Sequence, residues 1–134
     1  MNESTNKIDR LIANFFSSFD NRDSRIPNFD HFQSYFVEGA VIGNRTSERV
    51  RIWSLTQFWK PRIELLSGGG LTEFHEWETD SKTSVVEGLA FRQSSYEKDG
   101  FLNGNPYKGT GVKFFQLALT VEGWRIAYML WEDY

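Results

Sequence analysis

His75 is the side chain in this sequence best suited to proton chemistry near neutral pH. It sits in the stretch LTEFHEWETD, residues 71–80, among Glu73, Glu76 and Glu78. A carboxylate beside an imidazole can set its tautomer, raise its basicity or complete a metal site. Spacing separates these options. On a strand, the period of two puts Glu73, His75, Trp77 and Thr79 on one face and Phe74, Glu76 and Glu78 on the other. Glu76 and Glu78 therefore do not share a face with the imidazole, and of the three glutamates Glu73 alone does. The other histidine, His31, lies on a separate segment, neither histidine has an i, i+4 partner, and the chain has no cysteine. No metal site is expected from this set, and no cofactor is called for. His75 keeps two readings: a pocket acid or base with a distant partner, or a polar residue on a half-exposed strand.

Positioning elements are written in the hydropathy pattern. Ile8, Leu11, Ile12, Phe15, Phe16 and Phe19 recur at i, i+3, i+4, i+7, i+8 and i+11, one apolar stripe of a helix. Ser4 or Thr5 can cap its start, and the polar run before Pro27 ends it. NFDHFQSYF predicts a short second helix capped by Asn28, and AVIG a brief strand. Ser54 and Gln57 have the capping-box spacing for a third helix, with Pro61 inside it and SGGG closing it. Beyond that the period changes to strand. The pattern predicts one hairpin of residues 71–80 and 84–96 about DSK, and another of 109–120 and 123–132 about TVEG. EKDGFLNGNPYKG reads as the loop between them. Helices first and strands afterwards indicate an α+β domain, and 134 residues fit one domain, 1–134.

Bulk composition removes several function classes. The net charge is −3 with no basic run, so no nucleic-acid footprint is present. No segment approaches ~18 consecutive apolar residues, so no membrane-spanning helix is expected. The polar start of the sequence is unlike a signal peptide, and the lack of cysteine fits the cytoplasm. Aromatics make up 16% of the chain, enough to fill a thick core or to line a cavity with rings. VKFFQLAL and WRIAYMLW are apolar on both faces, which asks for a cover on each side of the sheet. A second subunit would supply one of them, so a homodimer is expected. Gln116 interrupts VKFFQLAL, and a buried amide there would need a partner, a ligand or a neighbouring side chain.

Three helices followed by long strands ending in EGWRIAYMLWED resemble the NTF2-like superfamily, in its SnoaL-like, bacterial branch. FFSSFDNRD, YFVEGAVI and GVKFFQLALTVEGWRI carry the resemblance, which covers nearly the whole chain. It implies a cystatin-like α+β cone: three N-terminal helices packed on a curved antiparallel sheet, with a pocket at the wide end. Members include steroid isomerases, polyketide cyclases, dehydratases, epoxide hydrolases and plain binding modules.

The isomerase pattern fails on this sequence. Its base would fall near Gly43 and Asn44, its tyrosine on Phe15 and its late aspartate near Phe115 or Gln116, and none of these can do that work. Scytalone-dehydratase-like members match in part. Their helix-end aspartate corresponds to Asp20, in the pair Phe19–Asp20, and their first strand histidine to His75. Their second histidine would fall near Ala90 and a substrate-orienting tyrosine near Asn44, where this chain has neither. The resemblance thus implies two functions. One is binding of a small apolar molecule in a pocket lined by Phe15, Phe19, Asn44, Trp59, Gln116 and Trp131. The other is cofactor-independent lyase, isomerase or hydrolase chemistry by an Asp20–His75 acid–base pair.

Overall fold

The apolar stripe of the first segment folds as expected. In the computed structural model, which describes residues 3–134, helix α1 spans Glu3–Ser17 and buries Ile8, Leu11, Ile12, Phe15 and Phe16. Glu3 is already helical, so Ser4 and Thr5 lie within the helix rather than at its cap. Phe19 is buried just beyond its end. A short 3-10 turn, Arg22–Ser24, leads to helix α2, Phe29–Gln33, where the Asn28 side chain accepts the backbone N–H of His31 as predicted.

Strand β1 then runs over Phe36–Thr46, longer than the AVIG core. It turns through Ser47 and Glu48 into β2, Arg49–Ser54, a strand that the sequence pattern did not reveal. β2 is an edge strand with mostly exposed side chains, so it lacks a strong apolar signal. Helix α3, Leu55–Ser67, follows with its complete Ser54–Gln57 capping box. It continues through Pro61, and Gly69 takes a left-handed φ of +87° just after it. Two strands therefore intervene before the third helix, and strands dominate the fold.

β3 spans Leu71–Val86, β4 Leu89–Leu102, β5 Asn105–Thr120 and β6 Gly123–Asp133. Two expected boundaries move. The first hairpin turns at Glu87–Gly88, not at DSK; β3 passes through residues 80–82 with an irregularity beside Thr79. EKDGFLNGNPYKG is not a loop, because Asn103 and Gly104 make a two-residue turn with φ of +51° and +84°. Positive φ at both central residues is the Asn-Gly hairpin geometry, and it lets β4 and β5 pair along their whole length.

The sheet order is β2-β1-β6-β5-β4-β3. Every neighbouring pair is antiparallel except β1 and β6, which run parallel, so the sheet is mixed rather than wholly antiparallel. The helices cover one face. Between them and the sheet, rings interlock: Phe15 meets Phe16, Phe19, Phe32, Phe36 and Phe115 with centroids 5.2 to 6.2 Å apart. Trp59 stacks on Phe32 at 4.3 Å. Most of the aromatic payload is therefore spent on a solid core.

Candidate functional site

Strand parity decides which side chains face the helices. On β5 the inward set is Gly111, Lys113, Phe115 and Leu117; on β4 it is Arg92, Ser94, Tyr96 and Lys98; on β6 it includes Trp131 and Asp133. On β3 a bulge beside Glu73, whose φ is +47°, brings Phe74, Glu76 and Glu78 inward. The face partition of LTEFHEWETD is as predicted, but the inner face belongs to the glutamates. His75 is on the other face, where its ring stacks on Trp77 at 4.5 Å. Its Nδ1 is buried without a hydrogen-bond partner.

Asp20 and His75 do not form the expected hydrogen-bonded pair. Both border a shallow depression between α1 and β3. The Asp20 carboxylate, however, is taken up locally: Arg22 Nε and Nη2 donate to it at 3.0 and 2.8 Å, Arg25 Nη1 at 2.6 Å, and the Arg22 backbone N–H at 3.0 Å. The hydrogen bond from Arg22 holds its carboxyl below the usual carboxylate range, against the cost of burial. This is a helix-end clamp. Among the described residues, no group of three or more histidines and carboxylates is arranged to hold a metal ion.

The pocket that gathers the inward side chains lies elsewhere. A cavity of about 230 Å³ opens between α3 and the inner sheet face. Its walls are Phe19, Phe58, Phe74, Trp131 and the α3 side chains Leu65 and Leu66. Of the six expected liners, Phe19 and Trp131 border it. Phe15 and Trp59 are closed inside the ring cluster, at 0% and 1% exposure. Asn44 spends its amide on the Trp131 carbonyl at 3.2 Å, and Gln116 is exposed on the outer face. Gln116 faces outward because alternation sets it opposite Phe115 and Leu117, which pack against the helices.

The expected apolar lining is also corrected. Arg62, Lys98 and Lys113 converge on the cavity with Glu76 and Asp133, and Tyr96 and Tyr107 stand beside them. Each charge is held differently. Arg62 lies over the Phe58 ring at 3.9 Å and donates to the Phe58 carbonyl at 2.9 Å. Its guanidinium is also 5.4 Å from the Trp131 ring, and burial lowers its pKa from the ordinary arginine value. Lys98 donates to the Tyr107 hydroxyl at 3.1 Å and to Asp133 at 3.2 Å. Burial is the largest single influence and disfavours its charge, but Asp133, Tyr107 and Glu76 together outweigh it and raise its pKa.

Tyr96 donates its hydroxyl to Asp133, and burial together with this bond pushes the phenol well above its usual range. Asp133 pays for burial too, yet the Tyr96 bond and the two lysines keep its carboxyl below the ordinary value. Lys113 is the more deeply buried of the two lysines that line the cavity. Its side chain is 6% exposed, 3.5 Å from Glu76 Oε1, and burial depresses its pKa. Three cations against two carboxylates leave the cavity with one positive charge in excess.

Sequence reasoning missed this cluster, although one signal was present. Lys113 interrupts the same apolar run as Gln116, and it shares its face with Phe115 and Leu117. A lysine on the core side of a strand is costly to bury, and is the better marker of a site. A broader open groove between β1, β2 and α3, about 760 Å³, has Glu38 as its one ionisable side chain and no converging charges.

No protein-family model matches the sequence, and no curated protein matches it either. Solved structures do match in shape. An NTF2-like protein with a cystatin-like fold from Novosphingobium aromaticivorans superposes with a TM-score of 0.73 at 13% identity, over 97% of this chain and 81% of that one. A candidate dehydratase from the NTF2-like family of Streptomyces avermitilis gives 0.73 at 12% identity, over 96% and 94%. A candidate calcium/calmodulin-dependent kinase II association domain from Exiguobacterium sibiricum gives 0.78 at 10% identity, over 100% and 95%. Matches this distant in sequence speak for shape alone. The chain has the cystatin-like fold of the NTF2-like proteins.

Proposed function

We propose that this domain binds a small organic anion, with an apolar or aromatic body, in the cavity between α3 and the sheet. The observation that carries this is the convergence of Arg62, Lys98 and Lys113 on an aromatic-walled cavity of about 230 Å³. Two carboxylates offset part of that charge, and an incoming carboxylate would complete it. The rings supply apolar contact and exclude water, which strengthens each charge interaction. A wholly apolar ligand fits this lining poorly, since it would strip water from the charges without replacing it. Asp20 already bonds Arg22 and Arg25, so the geometry does not favour acid–base catalysis by Asp20 and His75.

Titration with benzoate and with benzyl alcohol, followed by tryptophan fluorescence and calorimetry, tests this reading. Trp131 lines the cavity and should report binding. Benzoate should bind at least tenfold more tightly than the alcohol, and Arg62→Met should remove most of the difference. Equal affinity for both, or binding of neither benzoate nor smaller carboxylates, overturns the proposal.

A second proposal concerns the outer face. Across β2, β1, β6 and β5, Ile52, Gly43, Leu130 and Phe114 stand in register as one apolar row. Phe91 on β4 stacks on Phe114 at 5.7 Å, and Phe91, Phe114 and Ile52 are 41%, 37% and 55% exposed. We infer a homodimer through this row, since contiguous exposed apolar surface is characteristic of interaction sites. Light scattering at micromolar concentration should give a dimer, and Phe114→Lys with Phe91→Lys should give a folded monomer. A wild-type monomer overturns the inference.

A further inference from the structure

Lys113 is poorly served as a structural cation. Its Nζ is 4.1 Å from the Tyr96 ring centroid, 5.2 Å from Trp131 and 5.9 Å from Phe16. Its charged neighbour is Glu76, at 3.5 Å, and that Oε1 atom has no hydrogen-bond partner. The two therefore form an ion-pair contact without a hydrogen bond, in a cage of rings. An ammonium has three donors to satisfy, and a pair that only held the fold together would bring them into bonding geometry. The other buried cation of the sheet shows the contrast: Arg92 donates to Glu78, Asp9 and Thr83.

What the Lys113 cage does provide is an amine on the wall of a cavity, desolvated by rings and flanked by the further cations Arg62 and Lys98. These two conditions turn a lysine into a nucleophile. Glu76, 3.5 Å away, is the carboxylate placed to take its proton once the pair closes to hydrogen-bonding distance. Arg62 and Lys113 both lie near the Trp131 ring, at 5.4 and 5.2 Å from its centroid, and both line the same cavity, where the arginine can take a carboxylate.

We propose that Lys113 captures the carbonyl carbon of a small 2-oxo acid as an imine, with the acid's carboxylate held by Arg62 and Lys98. This rests on the reading of the cavity as an organic-anion site and deepens it. Glu76 accepts one ammonium proton. The Nζ lone pair then bonds to the carbonyl carbon as the C=O pair moves onto oxygen, which takes the proton back from Glu76. Glu76 accepts a second N–H proton and delivers it to the hydroxyl, which leaves as water while the nitrogen pair forms the C=N bond. The sum is ammonium plus carbonyl giving protonated imine plus water. No electrons are gained or lost, and Glu76 ends as it began. The cavity has the volume share of about eight waters, enough for a 2-oxo acid of a few carbons.

The test treats the protein with pyruvate and sodium borohydride, then uses intact-mass and peptide mass spectrometry. One reduced pyruvyl adduct should appear, mapped to Lys113, and be lost in Lys113→Arg, which keeps the charge but cannot form the imine. Acetate, which has no ketone, should bind in the same cavity and leave no adduct. Pyruvate binding by calorimetry without an adduct overturns the imine and leaves the anion site standing. Binding of neither pyruvate nor acetate overturns both. Adducts spread over other lysines, or equal labelling in Lys113→Arg, also overturn the imine. If Lys113→Arg does not fold, the peptide map of the wild-type adduct decides alone.

Discussion

Replacing Asn21 by alanine should cost far more than a turn residue normally does. Its Nδ2 donates to the Leu66 carbonyl at 2.9 Å and to the Leu71 carbonyl at 2.7 Å, and its Oδ1 accepts the Phe74 N–H at 2.7 Å. One side chain thus ties the end of α1 to the end of α3 and the start of β3. Three net hydrogen bonds amount to about 3 kcal/mol, and stranding three buried backbone groups adds to that, less what entering water recovers. A loss of about 3–5 kcal/mol follows, a large share of the roughly 5–15 kcal/mol that holds a domain together. Asn21→Asp should be no milder, because it keeps the acceptor for Phe74 but points a carboxylate at two carbonyls. The assay is urea unfolding followed by tryptophan fluorescence, with far-ultraviolet circular dichroism as second probe. The midpoint should fall with little change in slope. Because Leu66, Leu71 and Phe74 all line the cavity, carboxylate affinity should weaken in any variant that still folds. A loss below about 1 kcal/mol in both variants would refute the assignment of Asn21 as the tie between these segments.

Acid stability should depend on Asp20. The Arg22 hydrogen bond lowers its folded pKa, so its contribution is full above the unfolded value of about 3.9 and disappears as pH falls through the lower folded value. Urea midpoints measured from pH 7 to pH 2 should show a shallower acid limb in Asp20→Asn than in wild type; parallel limbs would count against the clamp. Arg92 is 3% exposed and donates to Glu78 at 3.1 and 2.6 Å. Arg92→Met should cost about 2–3 kcal/mol, because the half-buried Glu78 loses its charged partner and keeps only the Ser94 hydroxyl, and adding Glu78→Leu should recover most of it. A double variant no more stable than the single one in urea unfolding would show that the charge pair is not the cause.

Much of the fold was legible because it is written locally. The α1 stripe, the Asn28 cap and the Ser54–Gln57 box depend on neighbours within a turn, and all three helices stand where these signals put them. The failures share a cause. DSK looks like a turn, yet pairing with β4 on one side carries β3 through it. Asn103–Gly104 was hidden in a polar stretch taken for a loop, although the dipeptide is itself a hairpin signal. β2 is an exposed edge strand with little periodic burial to display. The parallel pairing of β1 with β6 joins segments about ninety residues apart, beyond any local pattern.

The site divides the same way. From the sequence alone, alternation determined that Glu76 and Glu78 share a face that His75 does not, and that Lys113 travels with Phe115 and Leu117. A period of two says which residues keep company; it is silent on which company faces inward. That was decided by the bulge at Glu73 and by α1 packing against β3, which together turn the glutamate face toward the helices. Only the folded chain brings Glu76, Lys113, Asp133 and Arg62 to one cavity, from four elements, while Asp20 closes on the arginines beside it. Charges from separate strands and a helix become neighbours through the order in which the strands pair and the helix packs on them, and that order is a property of the whole chain rather than of any stretch within it.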